Sequence, residues 1–199
     1  MHMDPQEMDT AKDEELIPLI LSNQDHFIYV VKRYKEKLYR YIMRISDFSP
    51  EEAEDVLQDV FLKVYLNLNE FDTGLKFSSW IYRIAHNQVI NEFRKKKARP
   101  QHNAIDLDDD MARQIASNLD IEKETDQIIL KESIVRTLRE LDAKYREVMV
   151  LRFLEEKSYE EISDIIKRPS GTVSSLLNQA KKEFKKVYLR DNKHKSYVG

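Results

Sequence analysis

Apolar residues recur at spacings of three and four along most of this chain, and one long polar stretch breaks the rhythm. Residues 14–22 are apolar but contain Pro18, which allows at most a short or bent helix. Between Asp25 and Ile45, the residues Phe27, Val30, Val31, Tyr34, Leu38, Tyr41, Ile42 and Ile45 line one helical face. Ser49-Pro-Glu-Glu52 is a capping box with proline at the first helical position. Ala53, Val56, Leu57, Val60, Phe61, Val64 and Leu68 follow on one face, which predicts a helix over 50–69. Phe71-Asp-Thr-Gly74 reads as a turn. Ser78 or Ser79 is the expected cap of the next helix, 78–96, whose inward face is Ile81, Ile84, Ala85, Val89 and Phe93.

Residues 100–124 are polar and acidic with weak periodicity, the pattern of a linker. Periodicity returns with Ile128, Ile129, Ile134, Leu138 and Leu141, and again from Tyr145 to Phe153. Ser158-Tyr-Glu-Glu161 is a second capping box, followed by Tyr159, Ile162, Ile165 and Ile166 facing inward. Lys167-Arg-Pro-Ser170 makes a turn, with Ser170 the expected cap of a helix over 171–187. Its buried side is Val173, Leu176, Leu177, Ala180, Phe184 and Val187. The expected fold is all-α: two small helical domains, 14–98 and 125–190, joined by the acidic linker 99–124, the second a helix-turn-helix.

Composition sharpens this reading. The 199 residues include only 3 Gly and 5 Pro, too few turn formers for a hairpin-rich sheet. There is no Cys, so disulfides and thiolate metal sites are excluded. No apolar run approaches a membrane span, and the N-terminal residues lack a signal-peptide layout, so membrane insertion is not expected and a cytoplasmic location is. The formal net charge is −3, yet charge is segregated. Arg94 to Arg99 and the tail from Lys181 are basic, and Asp106 to Asp126 is largely acidic, which suggests separate surfaces for separate partners.

Two constellations carry candidate chemistry. In the first, Ser158 to Lys182 has the layout of a helix-turn-helix, whose second helix enters the DNA major groove. Thr172, Ser174, Ser175, Asn178 and Gln179 lie off the apolar face, where they can meet bases or phosphates. Lys181 and Lys182, with Lys185 and Lys186, can neutralise phosphates. An ordinary helical hairpin with a solvated lysine face shares this pattern; Pro169 and the two consecutive caps favour DNA. In the second constellation, Phe77, Trp80 and Tyr82 offer flat rings. Arg83, His86, Asn87, Asn91 and Arg94 offer donors between them, and the run continues through Lys95, Lys96 and Lys97. Rings interleaved with cations suit unpaired DNA, although aromatics at helical spacing also build cores. The five histidines show no metal-ligand spacing, and no glycine-rich phosphate loop exists, so neither catalysis nor a metal or other cofactor is expected.

Taken together, the two constellations resemble bacterial sigma factors of the extracytoplasmic-function group, within the sigma-70 family. The resemblance rests on Ala53-Glu-Asp-Val-Leu-Gln-Asp-Val-Phe61, Phe77-Ser-Ser-Trp-Ile-Tyr-Arg-Ile-Ala-His-Asn87, Leu141 to Arg152, Ser158 to Ile162 and Gly171-Thr-Val173. It implies a protein that binds core RNA polymerase, through the β′ clamp and the β flap, and directs it to promoter DNA. On that resemblance Asp55, Gln58, Asp59 and Phe61 would meet the polymerase. Residues 78–96 would open and hold the minus-ten element, with Asn87 near the captured base. Helix 171–187 would read the minus-thirty-five element, the linker would pass through the polymerase interior, and an anti-sigma factor would be an inhibitory partner. Ser174, Leu176, Asn178 and Gln179 stand where the family usually carries basic residues. The competing expectation is a self-contained helix-turn-helix regulator that binds duplex DNA as a dimer.

Overall fold

The computed structural model of the protein describes residues 4–72, 74–98 and 125–195; the expectations for the linker 99–124 fall outside the described residues. The described residues form helices and no strand, in the order α1 (Pro5–Thr10), α2 (Asp13–Ser22), α3 (Phe27–Ile45), α4 (Pro50–Leu66), α5 (Phe77–Ala98), α6 (Thr125–Glu140), α7 (Ala143–Phe153), α8 (Tyr159–Ile166) and α9 (Ser170–Lys195). Short 3-10 turns at Gln24–His26 and Leu68–Glu70 precede α3 and follow α4.

The stripe predicted on α3 is the face that folds inward: Leu38, Tyr41 and Ile42 are completely enclosed. Each aliphatic side chain buried this way contributes about 1.5–3 kcal/mol over leaving it in water. α4 starts as its sequence requires. Ser49 Oγ accepts from Glu52 N at 3.3 Å, and Glu52 Oε2 accepts from Ser49 N at 2.9 Å. α2 tolerates Pro18, which is exposed, because the helix anchors on both sides of it: Leu16, Ile17, Leu19 and Ile20 are buried. At its start Asp13 accepts from Arg33 Nη1 and from the Tyr34 hydroxyl, both at 2.5 Å.

α5 begins earlier than expected, and neither Ser78 nor Ser79 caps it. Phe77 is the first helical residue, and the carbonyl of Lys76 accepts from Ser79 N and Trp80 N. The reason is tertiary. Phe77 is fully enclosed among Tyr34, Phe71 and Trp80, with ring centroids 5.4–5.8 Å apart. The Glu14 carboxylate accepts from Phe77 N at 3.4 Å, a cap supplied by a different helix.

In the C-terminal half, the second capping box starts α8, with Ser158 N donating to Glu161 Oε2 at 2.8 Å. Lys167 ends α8 in the left-handed region at φ 52°. The turn differs from expectation in one detail. Thr172 N and Val173 N donate to Pro169 O, so Ser170 is the first helical residue rather than the cap. α9 also runs on to Lys195, beyond the predicted end at 187. Val173, Leu177 and Ala180 are completely buried, while Leu176, Phe184 and Val187 are half-buried.

The two halves lie against each other. α8 packs on α5 and α7 packs on α3, and the buried apolar residues of both halves form one continuous cluster.

Candidate nucleic-acid interface

α5 is the centre of the site, and helical geometry divides its side chains between two surfaces. Residues two apart on an α-helix point about 200° apart. Trp80 and Tyr82, both flat rings near unpaired DNA in the sequence expectation, therefore face different sides of α5. Trp80 lies on the α4 side together with Ile84, Asn87 and Asn91; Tyr82 and His86 lie on the side facing the C-terminal half. Both rings belong to the core: Trp80 is 8% exposed and Tyr82 2%.

On the first side, Trp80, Ile84, Asn87 and Asn91 line a polar groove of about 400 Å³ with Lys63, Asn67 and Glu70 of the α4 end. Asn87 is exposed and Asn91 half-buried. Trp80, propped by Phe71 and Phe77 at 5.3 and 5.6 Å, sets the wall of the groove. Asn67 Nδ2 donates to Lys63 O at 2.7 Å, which fixes the rim. Lys63, Asn67 and Glu70 were not singled out in the sequence. Their signal was position alone, one helical turn apart beyond the apolar stripe of α4.

A second missed residue is Gln88. It is 2% exposed, and it ties α5 to α4 by donating to Asp59 Oδ2 at 2.7 Å while accepting from the Lys63 ammonium. Its place between Ala85 and Val89, on the inward stripe, marked it as a buried polar group in need of partners.

Around α4, Asp55, Gln58 and Asp59 are exposed and Phe61 is half-buried, its ring 6.4 Å from Phe27 and nearly perpendicular to it. Leu62 and Leu66 stand out beside them at 56% and 63% exposure. A groove of about 480 Å³ separates this face from the basic end of α5. There Lys96 Nζ lies 2.6 Å from Glu52 Oε1 and 4.7 Å from the centroid of the Phe48 ring, and Lys95 pairs with Glu92 at 2.5 Å. Partial burial pushes the Glu52 carboxyl up, but the bond to Lys96 and the Ser49 N–H outweigh it, so its pKa lies below the ordinary value. Arg94 and Lys97 are exposed and Arg83 is half-buried. Cations at the last turn of a helix also meet the negative end of its dipole.

The helix-turn-helix presents a separate face. Thr172, Ser175, Asn178, Gln179, Lys181 and Lys182 are exposed on α9, and Ser174 is half-buried. Gln179 Oε1 accepts from the Tyr145 hydroxyl at 2.8 Å, and Lys181 Nζ sits 5.5 Å from the centroid of the Phe153 ring.

The family model for sigma-70 region 2 matches residues 30–99, and that for sigma-70 region 4 matches residues 131–184. The chain is 34% identical to the ECF RNA polymerase sigma factor SigW of Bacillus subtilis (strain 168), over 85% of this chain and 91% of that one. It is 30% identical to the ECF RNA polymerase sigma-E factor of Escherichia coli (strain K12), over 80% and 84%. The chain belongs to the extracytoplasmic-function group of the sigma-70 family. Two solved structures share its fold. CnrH, in complex with the cytosolic domain of CnrY, has a TM-score of 0.65 at 22% identity and covers 90% of this chain and 98% of its own. RpoE of Bartonella quintana, in complex with the anti-sigma factor NepR, has a TM-score of 0.60 at 19% identity, covering 81% and 95%.

This sigma factor thus carries α3, α4 and α5 in region 2 and the helix-turn-helix in region 4. It is an initiation factor and not an enzyme: it directs promoter-specific transcription by binding core RNA polymerase and promoter DNA. A self-contained dimeric regulator is not favoured, since that reading leaves the region 2 match without a role. Among the described residues no helix is long and apolar enough to cross a membrane.

Proposed function

We propose that the groove between α4 and α5 holds an unpaired base of the minus-ten element. The observation that carries this reading is the exposed Asn87 set beside Asn91 and the Trp80 wall in a polar groove of about 400 Å³. A carboxamide offers both donors and an acceptor to a base edge freed from pairing. Extracting a base costs a few kcal/mol, which contacts in such a groove offset. Arg83 and Arg94 to Lys97 take the neighbouring phosphates.

Asp55, Gln58 and Asp59, with Phe61 and the exposed Leu62 and Leu66, form the face that docks on the polymerase β′ clamp. Carboxylates around an apolar centre suit a basic partner surface. Thr172, Ser174, Ser175, Asn178 and Gln179 read the minus-thirty-five duplex, while Lys181 and Lys182 anchor its backbone. Region 4 also meets the β flap. The functional units are 14–98 and 125–190, the linker 99–124 lies inside the polymerase, and the protein works in the cytoplasm, where polymerase and chromosome are. An anti-sigma factor is its inhibitory partner; of the two proteins of like fold, the sigma factor RpoE is solved with the anti-sigma factor NepR bound, and CnrH with the cytosolic domain of CnrY.

Run-off transcription with purified core polymerase tests the reading. Transcripts appear only when chain and core are both present. Transcription that does not depend on the chain, or duplex binding to a palindrome without core, would contradict it.

A further inference from the structure

The helix-turn-helix face holds an amide whose acceptor is already engaged. Tyr145 stands in the first turn of α7, where its N–H donates to Asp142 O at 2.8 Å. Its hydroxyl crosses to α9 and donates to Gln179 Oε1 at 2.8 Å. Both ends of this bond stand on fixed supports: Val148 and Leu151 of α7, and Leu177 and Ala180 of α9, are completely buried. Lys144 Nζ lies 4.8 Å from the centroid of the Tyr145 ring and braces the phenol. Tyr145 is half-buried, and Gln179 is exposed on the face that carries Thr172, Ser175 and Asn178. A carboxamide bears its acceptor on one arm and two N–H donors on the other. With Oε1 turned to Tyr145, the N–H groups of Nε2 are the arm left for a ligand.

We propose that Tyr145 is a positioning residue for promoter choice: its hydroxyl occupies Gln179 Oε1, so that Gln179 reads the minus-thirty-five duplex as a donor alone and selects guanine over adenine. The inference rests on the reading of α9 as the helix that meets that duplex, and it names what one of its side chains selects. An unrestrained glutamine recognises adenine with both arms, Nε2 donating to N7 and Oε1 accepting from the N6 amino group. Once Oε1 is turned away, adenine still offers N7, but its amino group sets a donor against the N–H of Nε2. Guanine presents two acceptors side by side in the major groove, N7 and O6, and the two N–H groups of Nε2 can meet them. Thymine has the single acceptor O4, and cytosine shows only a donor. The order is therefore guanine, then thymine, with adenine and cytosine last. The tied amide has the hydrogen-bond polarity of an arginine without its charge.

The test measures binding of holoenzyme, core polymerase with the full chain, to promoter duplexes that carry each of the four bases at one minus-thirty-five position at a time. The position where Gln179→Ala erases discrimination is the one that Gln179 reads. There the unaltered chain is expected to hold guanine about ten-fold tighter than adenine. Tyr145→Phe keeps the ring and frees Oε1; it should cut that ratio about ten-fold and leave the preferences at other positions as they are. Gln179→Arg supplies a side chain that is donor-only without help. It should keep guanine first, and adding Tyr145→Phe to it should change nothing. A neutral, exposed hydrogen bond adds little to stability, and thermal melting verifies that each variant folds. If Tyr145→Phe does not fold, Gln179→Arg alone decides, by keeping the preferred base or moving it. A preference for adenine or cytosine in the unaltered chain, or a ratio untouched by Tyr145→Phe, would overturn the tie to Tyr145 and leave α9 as the reader. Discrimination untouched by Gln179→Ala at every position would instead contradict the place of Gln179 in reading the duplex, and the inference with it.

Discussion

Asn87 and Trp80 sit in the same groove, yet they answer different questions when replaced. Trp80 is a core side chain packed on Phe71 and Phe77. Trp80→Ala is expected to cost about 3–5 kcal/mol of stability, and its loss of activity would mostly report folding. Asn87 is exposed, and Asn87→Ala should leave stability within about 0.5 kcal/mol. It should reduce open-complex formation while sparing closed-complex binding to the promoter. Thermal melting beside a footprint of the opened strands separates the two outcomes. Position-by-position chemistry was readable in the sequence where it depends on a residue's own exposure: Asn87, Asp55 and Lys182 point outward as the apolar stripes require. It was not readable for Gln88, whose partners Asp59 and Lys63 come from another helix.

At the level of elements, local signals did well because caps are local. The boxes at Ser49 and Ser158 form as written. The start of α5 is not legible locally, because Phe77 is fixed by Tyr34 and Glu14, which are distant in the chain. Trp80 and Tyr82 are close in sequence, but helical geometry sends them to opposite sides of α5. α9 offers a quantitative test. Lys181 and Lys182 are exposed one helical turn beyond Asn178. If they anchor phosphates, Lys181→Ala/Lys182→Ala weakens promoter binding on all sequences alike. It also makes the slope of log K against log salt shallower by about 0.9 per lost contact. A changed sequence preference at unchanged slope would assign these lysines to base reading instead.

Across the whole molecule, the seam between halves was beyond sequence reasoning. Its bonds join residues separated by 61 to 111 positions, and no local pattern pairs the Glu147 and Glu155 carboxylates with Tyr41, Arg44, Tyr82 and His86. The seam has a signature in pH. Burial, then the charge and hydrogen bond of Glu147, push the Tyr41 pKa well above 10.0, and burial with Glu155 does the same for Tyr82. Tyr34 is raised too, by burial and Asp13. A phenol with a raised folded pKa contributes stability that is complete below its unfolded value and is lost as pH climbs toward the folded one. Melting temperature should therefore fall as pH rises above 10.0. Lys157 acts in the opposite sense: burial lowers its pKa from 10.5, so its deprotonation relieves the fold as pH approaches that value. A tyrosinate titration should find Tyr41 and Tyr82 ionising together with unfolding. Ionisation of every tyrosine near 10.0 in the folded protein would contradict the buried seam.

As a sigma factor, this chain is expected to give core polymerase the ability to separate promoter strands. A fluorescent base analogue in the minus-ten segment of a duplex promoter reports it in real time. Fluorescence is expected to rise only with chain and core together, the rise being sharply reduced for Asn87→Ala and restored on a template whose minus-ten strands are already mismatched. Opening of the duplex at an undiminished rate with Asn87→Ala, or a wild-type chain that binds core and leaves the strands paired, would contradict it.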